Sequence, residues 1–253
     1  MGIFAQFFSS ESNENKKIRT QFKNEKYFKK EIERCNQWID DDKEDFENYI
    51  KKHGKLMDTH YLSACKIRLQ KIENMYSLGE SPAKLKDIYK EVLNYFLKGY
   101  SENYKNNSLA LEIISFYKLL KFQQNELNEI INFINKWESN SKIEDIYKPA
   151  SLIYFILEMK IIKRSSYKPY ETLYEIVEQP AREAEISIEK YLDNWYGMHK
   201  EEPWYNTHLK DWGYSGYWAW EVAAVVEVKG LNDSKFKDNP YYPYDMVHWK
   251  EEN

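Results

Sequence analysis

Hydrophobic residues recur at helical spacing from about residue 24 onward. The first stretch places apolar side chains three and four residues apart on one face: Phe28, Ile32, Cys35, Trp38 and Ile39. The acidic run Asp40–Asp45 follows, and the pattern alone allows either a solvated turn or an exposed part of a helix. The stripe resumes at Phe46 and ends at Gly54, so the sequence predicts a long helical segment that starts near Asn24.

Two further helices have clear boundary signals. The second is predicted from about Asp58 to Leu78, where Gly79 ends it. Ser81-Pro82 then supplies an N-cap and a first helical residue for the third helix. This third helix is expected to continue to about Tyr104.

The polar stretch Glu138–Lys142 marks the predicted domain boundary. It follows two shorter predicted helices, near 109–121 and 124–138, and divides the chain into an N-terminal helical domain, 1–140, and a C-terminal helical domain, 141–253. No two-residue hairpin signal and no run of alternating strands is visible. The sequence therefore predicts an all-α fold with two helical subdomains, a multi-helix bundle with solenoid-like hairpins.

The C-terminal half contains four predicted helices, and the shortest of them ends near Lys250. The other three cover 143–163, Ala181–Tyr196, and the stretch from near Gly216 to the stop signal at Gly230. The last of these three is apolar on most of its surface, which predicts a central buried helix. Glu221 interrupts this apolar run. If buried, this carboxyl group needs a hydrogen-bond partner or stays protonated, and if it faces a groove it is an acidic anchor.

Charge is unevenly distributed along the chain. The net charge is −4, but residues 170–253 carry 17 acidic and 8 basic side chains, a net charge of −9, whereas residues 1–169 carry 24 acidic and 29 basic ones, a net charge of +5. A DNA-binding surface is normally basic, so the C-terminal third is unsuited to direct nucleic-acid binding. An acidic surface suits a basic protein partner, or it serves only to keep the protein soluble.

Aromatic residues are concentrated at the C-terminal end. Residues 191–253 hold 15 aromatic side chains in 63 positions, including six of the eight tryptophans. Core packing explains most of this cluster, but Tyr and Trp are also common anchors in protein interfaces. An exposed aromatic face could also support a homodimer.

The sequence offers little support for an enzyme or a metal protein. A metal-binding interpretation would use His199, His208, Asp211 and Glu221, but their spacing matches no known ligand signature. No nucleophile elbow, P-loop or glycine-rich dinucleotide turn is present. We therefore expect no catalytic residues, no metal and no cofactor.

The cysteine content and the N-terminal sequence predict a cytoplasmic protein. Cys35 and Cys65 lie far apart in helical patterns and are expected to be reduced, buried thiols. Met1–Ser10 lacks the basic start of a signal peptide. The longest strongly apolar stretch, Leu152–Leu157, is too short to span a membrane.

Three stretches near the C-terminal end carry a specific pattern. They are Gly-Tyr-Trp-Ala-Trp-Glu-Val-Ala-Ala-Val-Val at 216–226, Gly-Leu-Asn-Asp-Ser at 230–234 and Tyr-Tyr-Pro-Tyr-Asp at 241–245. Together with Trp195-Tyr196 and Trp204-Tyr205, they resemble the C-terminal domain of the PoNi immunity proteins. Residues 18–28 and 76–82 are similar to the helical N-terminal domain of the same family. The chain departs from the family pattern at Trp220, where relatives tend to have Phe, and at Asn232, where they often have Asp.

The resemblance implies a function. PoNi proteins are non-enzymatic immunity partners of PoNe DNase effectors, which bacteria deliver into competitors through type VI or type VII secretion systems. The toxin belongs to the restriction-endonuclease-like superfamily, and the immunity protein remains in the cytoplasm of the producing cell, where it binds the toxin. The family is helical and has two domains.

We expect the C-terminal domain to cover the basic DNA-binding or active-site surface of the toxin. Acidic groups would act there as phosphate mimics beside aromatic anchors. The candidate partner-binding residues are Glu201, Glu202, Asp211, Tyr217, Trp218, Glu221, Glu227, Asp233, Tyr241, Tyr242 and Asp245. The sequence equally allows binding at a remote site, and a helical scaffold for another protein or peptide is the alternative function.

Overall fold

The computed structural model describes residues 18–100, 107–122, 128–132, 134, 150–160 and 168–250. Every regular element in these ranges is a helix, which confirms the all-α prediction. The helices are α1 Glu25–His53, α2 Asp58–Leu78, α3 Pro82–Gly99, α4 Asn107–Leu119, α5 Ser151–Ile156, α6 Glu171–Val177, α7 Ala181–Met198, α8 Trp220–Lys229 and α9 Tyr244–His248. A 3₁₀ turn covers Thr207–Leu209, and residues 128–132 and 134 are also helical. The predicted domain boundary near 138–142 lies outside the described residues.

The three N-terminal helices form two consecutive hairpins, α1–α2 and α2–α3. The side chain of Asn24 caps α1 by accepting a 3.0 Å hydrogen bond from the backbone N–H of Tyr27, and Gly54 ends the helix in a left-handed conformation. The acidic run Asp40–Asp45 lies inside α1, so it is part of a helix and not a turn. The second helix covers the predicted residues, Asp58–Leu78.

Helix α8 lies at the centre of the C-terminal part. Its residues Val222, Ala223, Ala224 and Val225 have no accessible surface, and the helix contacts α4, α5, α6 and α9. The small side chains of Ala223 and Ala224 allow this close packing from several sides. The prediction of a central buried helix that ends at Gly230 is therefore confirmed.

The predicted start of this helix, near Gly216, was wrong. The helix begins at Trp220 because residues before it are held in a non-helical path. Ser77 Oγ donates a 2.6 Å hydrogen bond to the carbonyl of Ser215, and the N–H of Ala219 donates to the carbonyl of Tyr241 at 2.8 Å. Gly216 has a φ angle of 120°, which is rare for residues with a side chain.

The region predicted as helical over 143–163 is helical only in part. Among its described residues, α5 ends at Ile156, because Glu158 adopts a positive φ of 56° and the N–H of Met159 turns back to the carbonyl of Tyr154 at 2.8 Å. The helix predicted over Ala181–Tyr196 corresponds to α7, Ala181–Met198.

The N-terminal and C-terminal parts share one hydrophobic core. Arg19 links them at the surface, since its guanidinium group contacts Asp245 at 2.6 Å and donates to the carbonyls of Tyr76 and Glu80. Both cysteines, Cys35 and Cys65, are free and buried, as predicted. Within the described part of the chain, no helix combines the length and apolar character needed to cross a bilayer.

Candidate functional site: an acidic cavity with aromatic walls

A cavity of about 510 Å³ lies where α2, α4 and α7 meet the segment between α7 and α8. This volume is in the range of small-molecule and side-chain binding sites. Four glutamates from separate parts of the chain line it: Glu73, Glu112, Glu202 and Glu221. Among the described lining residues Lys66 is the only Lys or Arg, and its side chain is exposed. The charged groups of the cavity wall are therefore mainly acidic.

Glu73 and Glu112 form a carboxyl pair between α2 and α4. Glu73 accepts a 2.7 Å hydrogen bond from Ser215 Oγ and a longer one, 3.4 Å, from Trp220 Nε1. The two carboxyl groups are hydrogen-bonded to each other. Burial raises the pKa of both groups, and the neighbouring Glu73 raises the pKa of Glu112 further. Because two adjacent buried carboxylates repel each other, Glu112 keeps its proton and donates a hydrogen bond to Glu73.

Glu221 lies in the first turn of α8, at the wall of the same cavity. Trp195 Nε1 donates a 2.7 Å hydrogen bond to its Oε1 atom. Burial raises the pKa of Glu221 to about 7, although the indole hydrogen bond and the helix N-terminus favour the charged form. This carboxyl group therefore loses its proton close to neutral pH. Burial also raises the pKa of the fourth acid, Glu202.

His199 contributes an unsatisfied acceptor to the cavity wall. Its ring is only 2% exposed, and Nδ1 lies 2.7 Å from the carbonyl oxygen of Trp195. Because a carbonyl only accepts, Nδ1 carries the hydrogen, and burial lowers the pKa of the ring, which keeps it neutral. Nε2, the other ring nitrogen, then carries no hydrogen and can only accept a hydrogen bond, and it has no hydrogen-bond partner.

Flat aromatic rings form another part of the wall. Trp195 and Trp204 stack with ring centroids 5.4 Å apart and an interplanar angle of 15°. Trp204 also lies 5.3 Å from the ring of His199 and 5.5 Å from that of Tyr217. The electron-rich faces of such rings attract cations.

Three of the five indole N–H groups among the lining residues already donate hydrogen bonds within the protein. The Nε1 atoms of Trp195, Trp218 and Trp220 donate to Glu221, Ser77 and Glu73, respectively. The lining glutamates and the unpaired Nε2 atom of His199 offer acceptors, which suit a ligand that donates hydrogen bonds and carries positive charge.

The described residues do not contain a metal-binding arrangement. No group of three or more His, Cys, Asp or Glu side chains in those ranges is placed to hold an ion. The sequence-based combination of His199, His208, Asp211 and Glu221 therefore does not form a ligand set. His208 instead hydrogen-bonds the hydroxyl of Tyr217 at 2.8 Å through Nδ1, and Asp211 is exposed.

The eleven candidate partner-binding residues occupy three kinds of environment. Those that line the cavity are Glu202, Tyr217, Trp218 and Glu221. Those exposed on the surface are Glu201, Asp211 and Asp245, and those partly buried outside the cavity are Glu227 and Tyr241. The remaining two, Asp233 and Tyr242, are buried in a hydrogen-bonded network with His248. The structure thus brings four of the eleven together, and direct contact with a partner stays a prediction for all of them.

Sequence reasoning missed Glu73 and Glu112. Glu73 lies between Leu69 and Tyr76 on the buried face of α2, and Glu112 occupies the corresponding place between Leu109 and Phe116 on α4. An acidic residue within an apolar helical stripe makes Glu221 noticeable in the sequence, and Glu73 and Glu112 show the same pattern.

Two exposed apolar side chains were also missed. Leu209 is 74% exposed and Trp212 is 59% exposed, and Trp212 lines the cavity. Both belong to the segment 201–213, which connects α7 to α8 and which we call the mouth segment. Apolar side chains left in water beside a cavity are typical of an interaction surface.

Comparison with known proteins gives the same family for both halves of the chain. Residues 19–132 match the family model described as "PoNe immunity protein (PoNi), N-terminal", and residues 155–246 match "PoNe immunity proteins (PoNi), C-terminal". A search of curated proteins finds no match. The crystal structure of protein PA2201 from Pseudomonas aeruginosa is similar in fold, with a TM-score of 0.60, 15% identity, and coverage of 92% of this chain and 90% of that one. The chain therefore belongs to the PoNi family of PoNe immunity proteins.

Proposed function

We propose that this protein neutralises a PoNe-type DNase by binding it and covering its DNA-binding or active-site surface. The acidic face around the cavity mouth is the surface that makes this contact. The protein acts in the cytoplasm of the producing cell, as a binder and not as an enzyme, without a cofactor and without touching nucleic acid itself. The toxin reaches competitor cells through a type VI or type VII secretion system.

The observation that carries this proposal is the combination of charge and exposed apolar surface in the mouth segment. This segment has three acidic residues and one basic residue, and Glu201 and Asp211 are exposed. The same segment carries the exposed apolar side chains of Leu209 and Trp212. Acidic groups attract the lysines and arginines with which a nuclease holds DNA, and apolar anchors supply affinity at the centre of an interface.

A plasmid-degradation assay tests the proposal. The PoNe-type DNase is incubated with plasmid alone and with an equimolar amount of this protein, and the mixture is also run on a size-exclusion column. We expect intact plasmid and a stable complex. Degradation at the uninhibited rate, with no complex, would contradict the proposal, and a complex without protection would favour the scaffold function.

The same exposed surface is where a second copy of the chain would pack. Light scattering of the isolated protein over a range of concentrations measures this directly. If a homodimer forms through Leu209 and Trp212, we expect it to dissociate when the toxin binds, because both partners would use one surface.

A further inference from the structure

We infer that the cavity is a binding site for an alkylguanidinium group, which packs against its aromatic wall and donates hydrogen bonds to its acidic groups. Such a group could belong to an arginine side chain of a protein partner or to a free small molecule. This inference stands independently of the proposed function, because the site can be tested without any toxin.

Several residues at the cavity offer hydrogen-bond acceptors. Glu73, Glu202, Glu221 and His199 all line the cavity, and each carries a hydrogen-bond acceptor, which in neutral His199 is Nε2. The buried Nε2 atom, which has no partner, points to a ligand that donates a hydrogen bond at that position. A guanidinium group carries five N–H donors and no acceptor, so it can satisfy several of these atoms at once.

The aromatic part of the cavity wall suits a planar ligand group. Indole rings with flat faces line the cavity, and the side chain of Trp212 among them is 59% exposed. A planar guanidinium group stacks on such faces and is more weakly hydrated than an ammonium group, so its transfer into the cavity costs less. The ammonium of a lysine side chain matches the charge of the site but not its planar geometry.

The carboxyl groups of the cavity also make the binding of a cation dependent on pH. Without a counter-charge, the carboxyl groups of Glu112 and Glu221 retain protons at pH values where exposed glutamates have lost them. The other titratable groups at the cavity are Glu73, Glu202, Lys66, Tyr170 and Tyr217, together with the neutral His199. A bound cation favours the ionised carboxylates, so binding near pH 7 must release protons into the solvent.

Calorimetry with small probes tests the site on the full-length protein. The probes are n-butylguanidinium, the neutral and nearly isosteric n-butylurea, and n-butylammonium. We expect saturable binding of n-butylguanidinium, weaker binding of n-butylammonium and no measurable binding of n-butylurea. We also expect the heat of n-butylguanidinium binding at pH 7 to depend on the ionisation enthalpy of the buffer, which reveals the released protons.

The variant Glu221→Gln should weaken n-butylguanidinium binding about tenfold or more and reduce the number of protons released. Glu183→Gln, at an exposed position on α7, is the matched control and should leave both quantities unchanged. Circular dichroism verifies that the variants are folded. Absence of saturable n-butylguanidinium binding to the folded protein, or equally tight binding of n-butylurea, would overturn the inference. Equal or tighter binding of n-butylammonium would overturn the assignment to guanidinium.

A competition experiment then identifies the source of the group. If saturating n-butylguanidinium weakens binding of the PoNe-type toxin, the site takes an arginine side chain of that partner. If toxin binding is unchanged while the probe still binds, the site serves a free guanidinium compound. Failure of the probe to bind, with toxin inhibition intact, rejects the cation site and leaves the proposed function standing.

Discussion

The indole N–H of Trp195, on α7, donates a 2.7 Å hydrogen bond to the Glu221 carboxyl group at the start of α8. This contact fixes the carboxyl group at the wall of a cavity that also contains Glu73 and Glu112. A central, otherwise apolar helix thus begins with an acidic group that is buried yet accessible from the cavity. This arrangement weakens the folded protein when Glu221 ionises, because burial disfavours the charged form of the carboxyl group.

The stability of the protein should depend on the ionisation of Glu221. Its pKa is about 7 in the folded state and near 4.5 in the unfolded chain, so the folded state binds the proton more tightly. The corresponding stabilisation is fully present below pH 4.5, declines as pH rises, and is lost above about pH 7. The loss amounts to about 3 kcal/mol of unfolding free energy.

Denaturant titrations at pH 5 and pH 8 measure this effect. In Glu221→Gln the decline between the two pH values should be smaller by about 2.5 kcal/mol than in the wild type. Glu183→Gln should behave like the wild type, because its exposed side chain has no comparable burial. The same pH dependence in Glu221→Gln and the wild type would show that Glu221 does not titrate in this range.

Gly216 should be intolerant of any side chain. A Cβ atom there would lie 2.1 Å from Trp218 Nε1 and 2.5 Å from Ser77 Oγ, and the φ angle of 120° is unfavourable for alanine. We expect Gly216→Ala to cost about 2–4 kcal/mol of stability, because the segment leading into α8 must move. Thermal unfolding followed by circular dichroism measures the loss.

Gly197 provides the control for this prediction. It lies within α7, and a Cβ atom there would have no neighbour within 4 Å. Gly197→Ala should therefore stabilise the protein by about 0.5–1 kcal/mol through helix propensity. If both alanine variants changed stability in the same direction, the packing account of Gly216 would be wrong.

Asp233 should contribute mainly to stability. Its Oδ2 atom accepts a 2.8 Å hydrogen bond from the Tyr242 hydroxyl group and lies 2.7 Å from His248 Nε2. Asp233→Asn replaces the carboxylate in this buried network and should cost about 1–3 kcal/mol. The exposed Asp238→Asn is the matched control and should change stability little. Loss of toxin binding by a fully folded Asp233→Asn variant would instead place Asp233 in the interface.

Helix boundaries were predictable where the sequence contains local stop signals. Gly79 and Ser81-Pro82 gave the end of α2 and the start of α3, and both appear in the structure at these residues. The start of α8 could not be predicted in the same way. It depends on a hydrogen bond donated by Ser77 and on one accepted by the carbonyl of Tyr241, and both residues are far away in the sequence.

The cavity was only partly predictable for the same reason. Glu221 was conspicuous because a carboxylate interrupts a strongly apolar run. Glu73 and Glu112 belong to different helices, and only the packing of α2 and α4 around the segment before α8 brings their carboxyl groups together. Helical periodicity identifies the buried face of each helix, but it does not identify which faces meet.

The most direct test of the central claim is DNase inhibition by a charge-reversed mouth segment. Plasmid degradation by the PoNe-type toxin is measured against increasing amounts of wild type, of Glu201→Lys/Asp211→Lys and of a control, Asp41→Lys/Glu44→Lys, with equal charge change on exposed positions of α1. We predict that the mouth variant needs about tenfold more protein for half-maximal protection while the control matches the wild type. Equal protection by all three proteins would contradict occlusion through the mouth segment.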